Sequence, residues 1–507
     1  MTPSPYDRPG SDAHDVPAGA AVVIVGGGFA GLALADELAR RGNEDVLVVE
    51  AGSDAGREHY RQEFDEATAT SMWLDPDSDK HAWRPYESTG LAFAGVSAVR
   101  RRLGGRSLYW HGMVLPIEPW ALTSPDWPAS VVSDLTVEWE NGRPLYERTV
   151  TRLAGWANGS PATSLSSGRT LDLAGYRFTE APRAVRRSPD GGRWRAYSPF
   201  EQWNGSTAIL CESRAVEILI DAGRVRGVRV ERGGRRHDIG ARVVVLASST
   251  VENSRLAIQA LTGLGRLPDA RLTGLVDKVA QGFVATFDVD HLPDGLRGAA
   301  DDGGVYVSPN PELRSNTFLS LRVNQHGVGV VDAYLMGEQT RGSHGAIWCD
   351  PAGDTPWRTH VRCSLGPDDV RLVAAQRTEL QRLYDAVCSA IGTGCPSATL
   401  SFANADEFGS ADLPDILRRA DALRLPQAPY TYAFPLGSEQ HEAGTLAVGE
   451  LLGDDFQFRA VPGLYACGPS TFPRTGAANP VQTILALAAR TAAALTGRSG
   501  PQRGGHE

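Results

Sequence analysis

Unbroken apolar runs at 20–25, 46–49 and 243–247 are rich in valine, as expected of parallel strands buried on both faces. Between the first two, Leu32, Leu34, Ala35 and Leu38 recur at helical spacing. That run ends in Arg40-Arg41-Gly42, cations and then a glycine where helix C-termini favour them. Strand, glycine-rich turn, helix and second strand closing on Glu50 make a βαβ unit. Residues 215–220 and 225–230, joined by a turn at 221–223, predict a hairpin. Around 300–365 the pattern becomes an alternation. Leu319, Leu321 and Val323 stand against Ser320, Arg322 and Asn324, with a turn at Gln325-His326-Gly327, which predicts a half-exposed antiparallel sheet. Residues 368–391 place Leu372, Val373, Leu380, Leu383, Tyr384, Val387 and Ile391 on one helical face to back that sheet. A buried strand at 463–467 and a helix at 480–496 follow.

With 507 residues the chain exceeds what one hydrophobic core usually supports, so two lobes are expected. The predicted fold class is α/β: a Rossmann-like nucleotide-binding domain plus an α+β domain whose antiparallel sheet is backed by helices. The first domain is expected to be discontinuous, over 20–115, 205–290 and 432–500. The second, over 116–204 and 291–431, is expected to hold the substrate, with tails at 1–19 and 501–507.

Composition narrows the chemistry. A formal charge of -10 disfavours a grip on nucleic-acid phosphates. An acidic surface favours a cationic small molecule over an anionic one, although it also serves solubility. Arginine supplies nearly all the positive charge, Lys80 and Lys278 being the only lysines. Cys211, Cys349, Cys363, Cys388, Cys395 and Cys467 are scattered without CxxC spacing. Neither a disulfide framework nor a metal site is expected, and a cytoplasmic location fits. The first 19 residues lack the pattern of a signal peptide, and no apolar run is long enough to span a bilayer.

Gly26-Gly27-Gly28-Phe29-Ala30-Gly31 fits GxGxxG after a strand and at the opening of a helix. Glycines there let a pyrophosphate approach backbone N–H groups at the positive helix end. Glu50, followed by Ala51, stands nineteen residues beyond Gly31, at the tip of the next strand, to accept from a ribose. This motif alone does not separate FAD from NAD.

Three further segments do. Arg101-Arg102-Leu103-Gly104-Gly105-Arg106-Ser107-Leu108-Tyr109-Trp110-His111-Gly112-Met113 resembles the Gly-Gly-x-Ser signature of the glucose-methanol-choline (GMC) family of FAD-dependent oxidoreductases. The stretch 247–256, Ala247-Ser248-Ser249-Thr250 onward, is similar to that family's third signature, and 468–483 to its carboxy-terminal one. With the amino-terminal fingerprint they stand in the family's order along nearly the whole chain. The resemblance, nearest to pyranose-oxidase-like and cholesterol-oxidase-like members, implies an FAD site formed by Gly26, Gly28, Phe29, Ala30, Gly31, Glu50, Ala51, Arg102, Gly104, Gly105, Ser107, Tyr109, Trp110, His111, Val216, Ala247, Gly468, Asn479, Pro480 and Thr483. Where relatives carry a flavin-tethering histidine just before Trp110, this chain has Tyr109. FAD is therefore expected to be non-covalent, His111 being the alternative attachment point, a flavin-edge contact or a structural imidazole.

The same resemblance implies that His441, in His441-Glu442-Ala443-Gly444-Thr445, is the catalytic base and Asn479 its partner. An imidazole can take a hydroxyl proton at neutral pH. Asn479 before Pro480 also reads as a helix N-cap. Gly476-Ala477-Ala478 is expected to leave room for the isoalloxazine. The implied activity is hydride removal from a carbinol carbon of a sugar-, glycoside- or polyol-like substrate, an amino sugar among them, giving an aldehyde or ketone. Oxygen or another acceptor then takes the electrons. A hydrophobic alcohol, a lyase on the same scaffold and a non-catalytic flavin-binding protein are the rival readings.

Overall fold

A computed structural model describes residues 16–64, 68–69, 72, 75–90, 93–160, 162–187, 193–203, 205–301, 303–392, 398–402 and 413–497. The expected tails lie outside these residues apart from 16–19. Strands Gly19–Val25 and Val46–Val49 pair in parallel, with Ala208–Leu210 beyond the second. On the other side the first strand pairs in parallel with Arg235–Leu246. That long strand serves two partners. Its first half is antiparallel to the hairpin strand Arg224–Arg232, and its last residues are parallel to Leu464–Ala466. Valines 22, 23, 46, 48, 244 and 245 are all buried, as a parallel sheet covered on both faces requires.

The fingerprint helix Phe29–Arg40 packs against the final helix Val481–Leu495. Ala486, Ala488, Ala489, Ala492 and Ala493 are buried on the latter, and such small side chains allow close approach. Among the described residues no helix is long and apolar enough to cross a membrane.

The second sheet runs Tyr430–Ala433, Lys278–Asp288, Val328–Glu338, Ser315–Val323, Val305–Asn310, Tyr176–Glu180, Thr170–Leu173, antiparallel throughout. It begins earlier than the alternation at 300 signals, because Lys278–Asp288 is buried on both sides and shows no polar face. That strand lies within the stretch 205–290 expected in the first domain. Conversely, the helices Ala129–Thr136 and Leu145–Asn158 and the strands Ala346–Cys349 and Thr359–Arg362, expected in the second, send Leu135, Leu145, Leu153, Ile347 and Val361 into the core of the parallel sheet. Helix Pro367–Ile391 covers one face of the antiparallel sheet, where Leu380, Leu383, Tyr384 and Val387 meet Phe283, Leu319, Leu321 and Leu335. Cys388 on this helix is disulfide-bonded, which the scattered cysteine spacing gives no sign of. Residues of opposite parity, Phe318, Ser320, Arg322, Asp332 and Tyr334, turn to the other face and line a cavity. The polar face of the alternation therefore looks into the interior of the molecule.

Candidate active site

The cavity, about 860 Å³, runs from the glycine-rich turn to this face of the antiparallel sheet. Its floor is set by steric necessity. Gly26 has φ +111°, and a Cβ on it would lie 2.5 Å from the Ala247 carbonyl oxygen. A Cβ on Gly31 would lie 1.9 Å from the Gly26 oxygen. A Cβ on Gly28 would meet nothing, because this residue faces open cavity. The helix that follows has no side-chain cap and no acid in its first turn, so its positive end is left to the cavity. An uncapped helix end, a turn that only glycine can make and an open Gly28 fit a dinucleotide pyrophosphate.

Glu50 lines the cavity, but both its oxygens already accept backbone N–H groups, Oε2 from Gly27 at 2.8 Å and Oε1 from Gly52 at 2.6 Å. It closes the fingerprint turn whatever else it contacts. Gly104, with φ +94°, donates its N–H to the Gly27 oxygen at 2.8 Å, which seats the second signature on the first. Phe29, Ala30, Ala51, Gly105, Tyr109, Trp110, His111, Ala247, Gly468, Asn479 and Pro480 line the cavity.

Arg102, Ser107, Val216 and Thr483 are not among its lining residues, and each has another partner. Arg102 donates to the Gly56 oxygen at 2.7 Å and Ser107 pairs with Ser198 at 2.8 Å. The Val216 oxygen accepts from Gln259 at 2.7 Å, and Thr483 pairs with the Tyr146 hydroxyl at 2.9 Å. Gly476, Ala477 and Ala478 are packed away as well. A Cβ on Gly476 would collide with Glu118, which accepts the Ala477 N–H at 2.9 Å.

His441 and Asn479 both line the cavity, and each has a buried polar atom with no hydrogen-bond partner, Nδ1 of the imidazole and Oδ1 of the amide. Asn479 does not cap the final helix, whose N-cap is Pro480 with no side-chain cap bond. Burial, reinforced by Lys278 and Arg106, holds the His441 pKa well below the ordinary imidazole value. The imidazole is therefore neutral, with a base available. His111 is buried beside Arg61, whose Nη2 donates to its Nε2 at 2.7 Å, and burial, with Arg61 and Arg183 adding to it, lowers its pKa too.

The third signature lines the cavity through Ala247, Ser248, Ser249 and Thr250 and also braces it. On helix Ser249–Gly263, Thr250 donates to the Glu442 carbonyl and Ser254 pairs with Thr445 at 2.7 Å, while Asn253 donates to Ser470 at 3.1 Å. The helix thus ties down both segments that carry His441 and Asn479.

Sequence reading missed the charged groups that hold this arrangement. Asp277 accepts the N–H of His441 and that of Gly437. The fully buried Lys278 donates to the carbonyls of Thr475 and Gly476, just before Asn479. Arg106 is paired with Glu442, which also accepts from Ser97 at 2.6 Å. Glu439, in the cavity wall, has a buried Oε1 without a partner. One sign was available: Lys278, one of two lysines, opens an apolar strand. Among the described residues no group of three His, Cys, Asp or Glu side chains could hold a metal ion.

Residues 21–62 match the family described as FAD dependent oxidoreductase. The chain is 24% identical to a C-glycoside 3-oxidase of Microbacterium trichothecenolyticum, over 80% of this chain and 77% of that protein. It is 23% identical to a paromamine 6'-oxidase of Streptomyces fradiae, over 97% and 94%. Its fold matches a pyridoxine 4-oxidase from Mesorbium loti with a TM-score of 0.56, at 18% identity, over 93% and 98% of the two chains. Fingerprint, two-sheet architecture and relatives agree on an FAD-dependent oxidoreductase that acts on CH–OH donors and is similar to the GMC type.

Proposed function

We propose that the protein oxidises a secondary or primary hydroxyl of a sugar- or glycoside-like molecule to a ketone or aldehyde, with His441 as the base and Asn479 orienting the substrate oxygen. The observation that carries this reading is that both side chains meet the cavity holding the fingerprint turn, each with an unpartnered buried polar atom. Such atoms are costly to bury unless a ligand satisfies them. Two relatives named as oxidases of a C-glycoside and of paromamine support a sugar-like substrate.

Bound FAD would supply the two-electron oxidation, held by the turn at Gly26, Gly27 and Gly28, the helix end at Phe29, Glu50 and the loop at Gly105. The neutral His441 takes the hydroxyl proton and keeps it while the carbon is oxidised. The amide of Asn479 fixes the oxygen beside that imidazole. The parallel-sheet lobe serves the cofactor and the cavity face of the antiparallel sheet serves the substrate. We read the cofactor as non-covalent, because His111 Nε2 is engaged by Arg61 and Tyr109 is packed against Arg100 and Arg102. Molecular oxygen is the proposed electron acceptor.

The test is acid precipitation of the purified yellow protein, followed by anaerobic titration with sugars, glycosides and polyols. Release of intact FAD and bleaching of the flavin by a sugar alcohol are expected. A flavin that no alcohol bleaches would overturn the reading.

A further inference from the structure

No hydrogen bond fixes the carbonyl oxygen of the Asn479 amide, which is buried without a partner, and the residue does not cap the helix that follows. Its aim is therefore set by the backbone on either side. After it comes the final helix, packed on the fingerprint helix. Before it, from Arg474 to Asn479, the chain is in neither helix nor strand, and Gly476 bends it with φ +56°. Thr475, Ala477 and Ala478 are nevertheless buried. Buried peptide groups outside regular structure need other partners.

The partners are charged side chains, two of them on the antiparallel sheet. Lys278, which is 2% exposed and opens the strand Lys278–Asp288, donates from Nζ to the Thr475 carbonyl at 3.2 Å and to the Gly476 carbonyl. Glu338 stands opposite Lys278 on the paired strand and accepts the Gly476 N–H at 3.1 Å. Glu118 accepts the Ala477 N–H at 2.9 Å and is itself held by Asn316 at 2.7 Å. Both carboxylates act on the Lys278 charge. A neutral donor could hold the two carbonyls, but it would leave these buried carboxylates short of a cation.

We propose that Lys278 is the positioning residue for Asn479, holding the Thr475 and Gly476 carbonyls so that the turn aims the amide at the substrate hydroxyl. The inference rests on the alcohol-oxidation reading above and adds to it a residue that does not line the cavity. Asp277, directly before Lys278, holds the N–H of His441. Neighbours at one strand end thus anchor both loops, and the antiparallel sheet sets the separation of base and amide.

Deuterium exchange and rapid-mixing flavin reduction on FAD-loaded K278M test this, with the sugar that bleaches the wild-type flavin fastest as substrate. Amides from Arg474 to Asn479 should exchange about tenfold or more faster than in the wild-type protein, with the flavin spectrum retained. Flavin reduction should slow by about tenfold or more. In an N479A background K278M should change the rate by less than about twofold, since a residue that acts through another is not additive with it. A wild-type reduction rate in K278M, unchanged exchange in the turn, or an equal loss with and without Asn479 would each overturn the assignment. If K278M does not fold, the wild-type protein still decides, because Gly476 and Ala477 amides that exchange as fast as an exposed loop would mean that nothing clamps the turn. Faster exchange in K278M with no bleaching of the wild-type flavin by any alcohol would leave the clamp standing and remove the oxidation reading instead.

Discussion

The backbone N–H of His441 donates to Asp277 Oδ1 at 2.9 Å, while the N–H of Gly437 donates to Oδ2 of the same carboxylate at 2.6 Å. One buried side chain thus fixes both ends of the loop that carries the proposed base. Gln440, with φ +56°, holds the strained turn between them. Replacing Asp277 with Ala leaves two N–H groups without acceptors and frees the imidazole to shift. Flavin reduction by substrate is expected to slow by about 10²-fold, the scale of a misplaced catalytic group. D277N, which keeps one acceptor, should recover part of that loss. Rapid-mixing reduction rates on FAD-loaded variants measure both.

His441→Ala removes the base itself, and the expected loss in reduction rate is about 10² to 10⁴-fold with the flavin still bound. The pH profile gives a sharper check. Burial, Lys278 and Arg106 all favour the neutral imidazole, so the acid limb of the reduction rate should fall below pH 6.5, the ordinary imidazole value. An acid limb at or above that value would mean that a different group titrates.

The parallel strands, the fingerprint turn and the backing helix were legible in the sequence because each follows from local rules. Gly31 is a glycine for reasons of sterics within one turn, and Leu380, Leu383 and Val387 mark a helix face by spacing alone. Ser107 and Thr483 carried no such local information. Their hydroxyls pair with Ser198 and Tyr146, 91 and 337 residues away, and only the folded chain reveals those partners. The clamp formed by Asp277 and Lys278 was equally hidden, since it grips backbone groups 164 and 197 residues further on. Backbone N–H and C=O groups leave no trace in residue identity.

Gly28 and Gly31 should separate cofactor binding from folding. A side chain at Gly28, where φ is −97°, would project into open cavity, whereas one at Gly31 would strike the Gly26 carbonyl at 1.9 Å. G28V is expected to fold with a melting temperature near that of the wild-type apoprotein but to retain less FAD, read as the ratio of flavin to protein absorbance. G31V should lower the apoprotein melting temperature by several degrees, as a strained backbone costing about 1–3 kcal/mol would.

Asp277, pushed up to about 7, and Glu439, up to about 8, both owe their shifts first to burial and then to a neighbouring carboxylate. Each holds its proton in the folded protein to a higher pH than in the unfolded chain. Between pH 4.5 and 8 the folded state therefore binds more protons, and this contribution to stability falls as pH rises. Replacing Glu439 with Gln removes one of the two titrations. Urea unfolding should show E439Q gaining on the wild-type protein by a few kcal/mol, on the order of 1.4 per pKa unit, as the pH is raised across that window. Parallel pH dependences for the two proteins would mean that the carboxyl is ionised when folded and has found a partner in the protein.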